Sequence, residues 1–265
     1  MSATIDLKSQ AQLATMRRAG VIVWEVLQEM AAAASVGTTT FEIDRLGEAR
    51  TREKGAVPAF KGYRGFPASV CISLNQEVVH GIPSKKRVLR AGDLVKLDFG
   101  VIVDGMFADS AITLPVGDVS EEAQRLIDVT RESMHRGIAM MTAAHRLHDV
   151  GHAVQGCAEA EGFSVVRDFV GHGIGHRLHE DPQLPNYGRA GTGLRLRAGM
   201  VLAIEPMVNV GSYEVEVLSD GWTAVTTDGS LSAHFEHTVA IGPNGPEILT
   251  LPAGVDPGAE GCLAA

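Results

Sequence analysis

The sequence predicts an α+β fold built on antiparallel strand pairs, and three observations favour it. The chain has 265 residues, 45% of them hydrophobic and 21% charged, which is typical of a globular protein whose core needs no disulfide or structural metal. Helical patterns alternate with short apolar strand patterns, but without the regular strand–helix–strand order of a doubly wound parallel sheet. Neighbouring strand patterns joined by a tight turn indicate hairpins instead.

The predicted helices begin at capping residues. Ser9 precedes a stretch whose apolar residues recur at three- and four-residue steps. Thr39 and Glu42 form a capping-box pattern, and Ser120 precedes two glutamates, which favour a helix N-terminus. The predicted helices run from Ser9 to the alanines at 31–34, from Thr39 to Gly55, from about Ala123 to Met141, and from Leu147 to Glu161.

Strands are predicted where apolar and β-branched residues lie between turn residues. These strands are Ser69 to Ser73, Leu94 to Val103, Met106 to Leu114, Ser164 to Asp168, Val201 to Val208, Tyr213 to Leu218, Thr223 to Thr226 and His234 to Ile241. The elements follow a repeated order, in which two helices and a hairpin precede two helices and further strands. No low-complexity linker interrupts this order, so we expect one domain over residues 1–252. Residues 253–265 are rich in Pro, Gly and Ala, and we expect a flexible tail there.

Charge and cysteine content limit the partners and the compartment. The chain carries 32 acidic against 23 basic residues, a net charge of -9, which argues against a broad nucleic-acid-binding surface. Cys71, Cys157 and Cys262 are far apart and odd in number, which favours a reducing compartment over a disulfide framework. The sequence shows neither a secretory signal, nor a run apolar enough to span a membrane, nor a long exposed apolar stripe. We therefore expect a cytoplasmic monomer that binds neither membranes nor specific nucleic-acid sequences.

The first residues that indicate chemistry lie in a hairpin. Type I′ turns prefer the pair Asp104-Gly105. If this pair forms the turn, Asp98 lies opposite Ala111, which is two residues after Asp109 on the partner strand. Since side chains alternate along a strand, both carboxylates then lie on one face as diagonal neighbours. Two carboxylates among apolar residues repel each other and take up protons unless cations neutralise them. Bound metal explains the pair. The alternative is that Asp109 caps a turn and Asp98 pairs with a Lys or Arg.

A glycine–histidine run occupies residues 170–180, VGHGIGHRLHE. Its glycines disfavour a helix and let the backbone approach a ligand closely. The run matches neither the G-x-G-x-x-G dinucleotide pattern nor the HExxH pattern of zinc proteases. A lone His beside glycines is usually an ordinary polar residue, but three of them, His172, His176 and His179, favour a functional role for at least one.

Two glutamates lie within apolar strand patterns. Glu205 precedes Pro206, which marks a strand edge or bulge, and Glu236 is flanked by His234 and His237. A glutamate in such surroundings is rarely buried without a partner. Four carboxylates and one imidazole suit Mn, Fe(II), Co or Mg better than a structural Zn site, and carboxylates that bridge two ions would support hydrolysis. No G-x-S-x-G pattern is present, so nothing in the sequence supports a serine nucleophile.

Five motifs occur in an order that resembles the methionine aminopeptidases over about residues 10–250. They are CISLNQEVVHGIP, KLDFG with FADSA, GHGIG with LHEDP, IEPM, and SLSAHFEHT. The short separation of Glu205 and Glu236 leaves no room for the helical insertion of type II enzymes, and no long N-terminal extension precedes the motifs. The chain is therefore most similar to the short bacterial type I form.

The resemblance implies the pita-bread fold, in which two pseudo-symmetric α+β halves surround a dinuclear metal site. It implies two divalent metal ions, with Co, Mn, Fe(II), Zn and Ni all candidates, and removal of the initiator methionine from nascent proteins and peptides when the second residue is small. The metal ligands that it implies are Asp98, Asp109, His172, Glu205 and Glu236, with Asp109 and Glu236 bridging.

A mechanistic hypothesis follows from these implied roles. A metal-bridging hydroxide attacks the methionine carbonyl, and Glu205 carries a proton to the leaving amine. His179 donates a hydrogen bond to the developing oxyanion, and His80 positions the scissile amide.

The resemblance also implies an apolar, partly aromatic pocket, which suits the unbranched thioether of methionine. Its implied residues are Tyr63, Phe66, Cys71, His80, Leu178, His179 and Trp222. Phe60, Phe66 and Leu178 stand where Cys, Tyr and Phe are common in bacterial members, so the pocket shape departs from the usual one. Without the resemblance, Tyr63, Phe66 and Leu178 are typical of ordinary packing, and Cys71 of a small buried hydrophobe.

The sequence leaves open one possible partner and two alternative functions. The basic run of residues 84–90 suits either a solvated loop or a transient contact with ribosomal RNA. An X-Pro aminopeptidase or prolidase of the same fold is the nearest alternative enzyme, although those proteins usually carry an additional N-terminal domain. A non-catalytic, ribosome-associated binding module is the other alternative, and the presence of all five ligand types weighs against it.

Overall fold

The computed structural model describes residues 5–255 and contains both helices and strands. The helices are α1 (Gln10–Ala33), α2 (Thr40–Glu53), α3 (Glu121–Ala139) and α4 (Leu147–Ala160). The strands are β1 (Val57–Pro58), β2 (Cys71–Leu74), β3 (Glu77–Val79), β4 (Leu94–Val103), β5 (Met106–Pro115), β6 (Ser164–Val165), β7 (Gly171–Gly173), β8 (Glu180–Leu184), β9 (Val201–Ile204), β10 (Met207–Asn209), β11 (Val215–Val217), β12 (Ala224–Thr226), β13 (Ser232–His234), β14 (Glu236–Gly242) and β15 (Gly245–Ile248).

The helices begin at the caps that the sequence indicates. Ser9 and Gln12 form a capping box at α1, and Thr39 and Glu42 form another at α2. The Ser120 side chain accepts a hydrogen bond from the Ala123 backbone and starts α3. Because each cap satisfies backbone N–H groups that the helix cannot, the chain enters these helices at defined positions.

The main sheet has nine strands, and it contains elements from both halves of the chain. Its order is β1-β4-β5-β14-β9-β7-β8, with β2 beside β4 and β15 beside β14. Strand pairs within residues 5–255 are antiparallel throughout, which confirms the expected α+β class. Leu97 and Phe99 of β4 join the core formed with Val23 and Leu27 of α1. The alternate residues of β4 therefore face away from α1.

Two predicted strands are each split into two. The predicted strand Val201 to Val208 breaks at Glu205 and Pro206, and the predicted strand His234 to Ile241 breaks at Phe235. At each break the chain passes between the main sheet, which holds β9 and β14, and a small sheet of β13, β10 and β6. The Phe235 N–H donates to the carbonyl of Pro206, 3.3 Å away, so the two breaks lie side by side.

The sequence predicted neither β7, which lies in the glycine–histidine run, nor β8, which follows it; in β7 the reason is the low strand propensity of glycine. Here glycine is required by close packing of backbones. A Cβ on Gly171 would lie 2.4 Å from the Ala203 carbonyl oxygen, and one on Gly173 would lie 2.3 Å from that of Asp181. Strand β7 therefore lies between β9 and β8 and tolerates no side chain at these two positions.

Most of the expected tail, from residue 256 onward, lies outside the described residues. Within residues 5–255, no helix combines the length and the apolar character that crossing a bilayer requires.

Candidate metal centre and adjoining pocket

The β4–β5 hairpin has the register that its turn predicts. Asp98 lies opposite Ala111 and Gly100 lies opposite Asp109. The backbone N–H of Asp109 and the Thr238 hydroxyl lie 3.1 Å apart, and the same hydroxyl lies 2.8 Å from the Asp109 carbonyl oxygen and 3.1 Å from its carboxylate. Asp109 is thus fixed by a neighbouring strand as well as by its own hairpin.

The adjoining strands bring the two glutamates to the same place. Glu236 of β14 pairs with Ala111, so Asp98, Ala111 and Glu236 lie in one row across three strands. Glu205 directly follows β9, which pairs with β14 on its other side. Both glutamates therefore stand at the strand breaks, where the chain leaves one sheet for the other.

His172 completes the cluster from β7, where it pairs with Ala203. Its Nδ1 donates to the Gly173 carbonyl oxygen at 2.9 Å, because a carbonyl can only accept. The hydrogen is then on Nδ1, and Nε2 has a free lone pair. Nε2 lies 3.7 Å from a carboxylate oxygen of Asp109 and 3.5 Å from one of Glu205, which is the orientation of a ligand nitrogen.

The electrostatics of this cluster call for a cation. Burial, followed by the charge of Asp109, raises the pKa of Asp98, Glu205 and Glu236 well above the ordinary range. Within residues 5–255, no Lys or Arg forms an ion pair with any of the four carboxylates, which removes the alternative of an Asp98 ion pair. Ligand atoms of Asp109, His172 and Glu236 lie within 4.8 Å of one another. This set of oxygens and one imidazole nitrogen fits a divalent metal.

The cluster forms one end of a pocket that the sequence-predicted substrate residues also line. These residues are Tyr63, Phe66, Cys71, His80, Leu178, His179 and Trp222, together with Phe60. Phe66 and Trp222 contact each other edge to face, with ring centroids 5.1 Å apart. Leu178 is buried, and the wall of the pocket is therefore largely apolar and aromatic.

Two neutral histidines lie between the metal cluster and this wall. Burial lowers the pKa of His80 to about 4, and burial followed by the charges of His172 and Arg64 lowers that of His179 to about 3. Nδ1 of His179 lies 2.8 Å from the Tyr63 hydroxyl, and its ring centroid is 4.2 Å from that of His172. His80 has a left-handed backbone with φ of 61°, a strained conformation that sets the direction of its side chain.

Cys71 lies beside the cluster, and its thiol is not activated as a thiolate. It pairs with Asp98 across β2 and β4, and burial, followed by the charge of Asp98, raises the pKa of its thiol well above the usual value. Cys71 therefore contributes a small, neutral side chain to the pocket.

Sequence reasoning missed two residues of this region. Thr238 binds Asp109, and it lies two positions after Glu236, which on a strand is the same face. Arg64 lines the pocket, and its position between Gly62 and Gly65 indicates a tight turn but not the direction of the side chain. The alternation along β14 was available in the sequence, whereas the turn geometry was not.

Comparisons with known proteins agree with this architecture. The profile of metallopeptidase family M24 matches residues 14–243. The chain is 53% identical over 247 residues to the methionine aminopeptidase of Clostridium acetobutylicum, covering 93% of this chain and 99% of that protein. A crystal structure of methionine aminopeptidase from Thermotoga maritima is similar with a TM-score of 0.93 at 46% identity, covering 94% of this chain and 100% of that one.

A more distant likeness concerns the fold alone. Prolidase from Pyrococcus furiosus has a TM-score of 0.76 at 22% identity, covering 93% of this chain and 65% of that one. The pita-bread fold expected from the sequence is confirmed by the family match and by these structures. The chain belongs to metallopeptidase family M24, as one of its methionine aminopeptidases.

Proposed function

We propose that this chain removes the N-terminal initiator methionine from nascent proteins and peptides whose second residue is small. The observation that carries this proposal is the convergence of four carboxylates and one imidazole at the end of an apolar, aromatic pocket. A substrate whose methionine side chain fills the pocket brings its first peptide bond next to the cluster. The fit to the short bacterial type I form is part of the same proposal.

The residues that would hold two divalent metal ions are Asp98, Asp109, His172, Glu205 and Glu236. Asp109 and Glu236 would be the central members of this set, because both are buried and each lies on a strand between the strands that carry or precede the other carboxylates. Bound divalent ions would supply Lewis acidity, which polarises a carbonyl and lowers the pKa of water. The ligand set does not discriminate sharply among Mn, Fe(II), Co, Zn and Ni.

His179, His80 and Glu205 are proposed to handle the protons and the substrate amide. With the Tyr63 hydroxyl donating to Nδ1, neutral His179 carries its hydrogen on Nε2, which can donate to the carbonyl oxygen as negative charge develops there. His80 is neutral as well and can orient the scissile amide by a hydrogen bond. Glu205, with a raised pKa, suits proton transfer to the leaving amine.

The pocket wall is proposed to select methionine. Leu178 and Phe66 provide apolar contact, and the thioether sulfur gains from the edge of an aromatic ring such as Trp222. A branched or charged first side chain would either collide with this wall or lose its hydration without a partner.

The proposal also includes the compartment, the oligomeric state and a possible ribosome contact. We place the chain in the cytoplasm as a monomer, with residues 1–252 acting as one catalytic domain. Arg87 of the basic run donates to the carbonyls of Ile72 and Ile82 at 3.0 and 2.8 Å and also pairs with Glu77, so it supports the fold. A transient ribosome contact would therefore use the exposed Lys86 and Arg90 of that run.

A comparison of peptides tests this function. Manganese-loaded protein should release free methionine from Met-Ala-Ser, should release much less from Met-Leu-Ser, and should not cleave Ala-Pro-Ser. Cleavage of Ala-Pro-Ser in preference to Met-Ala-Ser would support the X-Pro aminopeptidase alternative. Absence of metal and of any cleavage would support the non-catalytic binding module.

A further inference from the structure

Arg64 lies at the rim of the pocket. Among residues 5–255 it is the one Lys or Arg side chain that lines this pocket, and it is exposed to solvent. The remaining charged residues of the lining are the four carboxylates of the metal cluster. The lining therefore combines a strongly acidic cluster with one exposed basic side chain.

The turn that carries Arg64 has a fixed shape. Arg64 has a left-handed backbone with φ of 49°, between Gly62 and Gly65 with φ of 86° and 91°. The Gly62 N–H donates to the Phe66 carbonyl at 2.8 Å, and the Phe66 N–H donates to the Tyr63 carbonyl at 2.9 Å. These bonds close the turn on itself and fix the backbone from which the Arg64 side chain extends.

The guanidinium lies beside the residues that we propose to touch the substrate. Its central carbon is 5.4 Å from the centroid of the Tyr63 ring, a distance that allows a cation–π contact. The Tyr63 hydroxyl lies 2.8 Å from Nδ1 of His179. Arg64 thus stands one residue away from the histidine that is proposed to bind the reacting carbonyl.

Among residues 5–255, the positive charge of Arg64 has no acidic partner. Arg64 forms no ion pair there, whereas the exposed Arg45 and Arg52 both pair with Glu48. A guanidinium has a planar set of donors that suits a carboxylate. Its charge is therefore available to a ligand that passes the rim.

The proposed function determines which part of a substrate passes there, and the inference rests on it. The first residue of the substrate fills the pocket, and the first peptide bond lies at the metal cluster. The remainder of the peptide must leave through the rim. We propose that Arg64 is a specificity-determining residue that favours substrates with a carboxylate shortly after the scissile bond.

The carboxylate could belong to a Glu or Asp side chain or to the C-terminus of a short peptide, and paired substrates separate these sources. The amidated peptides Met-Ala-Glu-Ser and Met-Ala-Ser-Glu are each compared with the peptide in which Gln replaces Glu. The tripeptide Met-Ala-Ser is compared as free acid and as amide. For at least one pair we expect kcat/KM at low ionic strength to be about two- to fivefold higher for the acidic member, which is the size of an exposed ion-pair effect.

Variants assign this preference to Arg64. The preference should disappear in Arg64→Gln and reverse in Arg64→Glu, and 0.5 M salt should weaken it in the wild type because exposed charges are screened. Arg195→Glu is the matched control, since Arg195 is exposed and does not line the pocket. It makes the same change in net charge and should leave the preference unchanged.

The outcomes separate this inference from the proposed function. Equal kcat/KM values for all pairs in the wild type would overturn the role of Arg64, as would a preference that Arg64→Gln retains or that Arg195→Glu also loses. In each of these cases methionine is still released and the proposed function stands. Release of methionine from none of the peptides would overturn the proposed function, and the inference with it.

Discussion

Two buried charged regions lie on the same strand and differ in what surrounds them. Lys96 and Asp98 are two residues apart on β4 and face the same side of the sheet. Lys96 is 1% exposed, and its ammonium donates to the carbonyls of Asn75 and Ser232 at 2.7 and 2.8 Å. Asp98 has other carboxylates as its charged neighbours.

This difference in surroundings distinguishes a buried charged group that supports the fold from one that forms a binding site. The Nζ atom of Lys96 donates to backbone carbonyls from both halves of the chain, which offsets part of the cost of its burial and links the two halves. The carboxylate cluster finds no comparable positive group within residues 5–255 and is completed only by added cations. A buried charge that lacks its complement is thus the stronger indication of function.

Loss of one carboxylate from the cluster should have the largest effect. We expect Asp109→Asn to lower kcat/KM for Met-Ala-Ser by more than about 100-fold, since even the loss of a partner that orients a metal ligand costs about 10- to 100-fold. Metal content measured on the same sample should fall, while circular dichroism stays native. Thr238→Val, which removes a hydrogen bond to Asp109 and no ligand, is the control and should lose less. Full activity of Asp109→Asn at saturating metal would refute the ligand assignment.

The metal-free protein should become less stable as the pH rises. The folded state raises the pKa of the four carboxyl groups above their unfolded values of about 4, so it binds more protons than the unfolded state in that range. This contribution to the free energy of unfolding is complete below pH about 4 and is lost as the pH rises through the raised values, by up to about 1.4 kcal/mol per pH unit and group.

Glu236→Gln isolates one of these groups. Urea unfolding of metal-free protein between pH 5 and 8 should show the wild type losing stability relative to Glu236→Gln as the pH rises. Added divalent metal should abolish this trend in the wild type. A difference between the two proteins that does not vary with pH would contradict the account.

Lys96 should show the opposite dependence on pH. Burial lowers the pKa of its ammonium to about 7, whereas the pKa of a lysine in the unfolded state is about 10.4. The folded state therefore releases this proton more easily than the unfolded state. Between pH 7 and 9 the wild type should therefore gain stability relative to Lys96→Met, by on the order of 2 kcal/mol. Urea unfolding at the two pH values measures this gain. A constant difference would show that Lys96 is charged in the folded protein throughout this range.

The smallest effect is expected at Tyr63 in the pocket wall, which contacts His179. Tyr63→Phe keeps the ring that stacks on His179, with centroids 5.3 Å apart, and removes the hydroxyl next to Nδ1. We expect kcat for Met-Ala-Ser to fall about two- to tenfold, the value of one hydrogen bond, with little change in KM. An unchanged kcat would show that Tyr63 does not orient His179.

The hairpin shows how much of this molecule could be predicted from its sequence. The Asp104-Gly105 turn defines the pairing of β4 with β5, so the approach of Asp98 and Asp109 follows from local rules alone. The helix starts at Ser9, Thr39 and Ser120 follow from capping chemistry in the same way. Both depend on residues that are neighbours in sequence.

Other features could not be predicted because they depend on contacts between distant segments. The break at Phe235 arises where the chain changes sheets and has no local signal, whereas Pro206 indicates the break at Glu205. Strand β7 is defined by backbones that pack against Gly171 and Gly173 from β8 and β9. The hydrogen bonds of Lys96 join Asn75 and Ser232, which are far apart in the sequence. A lysine in a strand pattern gives no sign that its side chain is buried.

The central claim is that the uncompensated carboxylate cluster acts in peptide cleavage only when it holds divalent metal. The most direct measurement is the release of free methionine from Met-Ala-Ser by protein that has been treated with a chelator and then titrated with Mn²⁺ or Co²⁺. The account predicts no release after chelation and a return of activity as metal is added, reaching a plateau at no more than two ions per chain. Release that is unaffected by both chelator and added metal would contradict it.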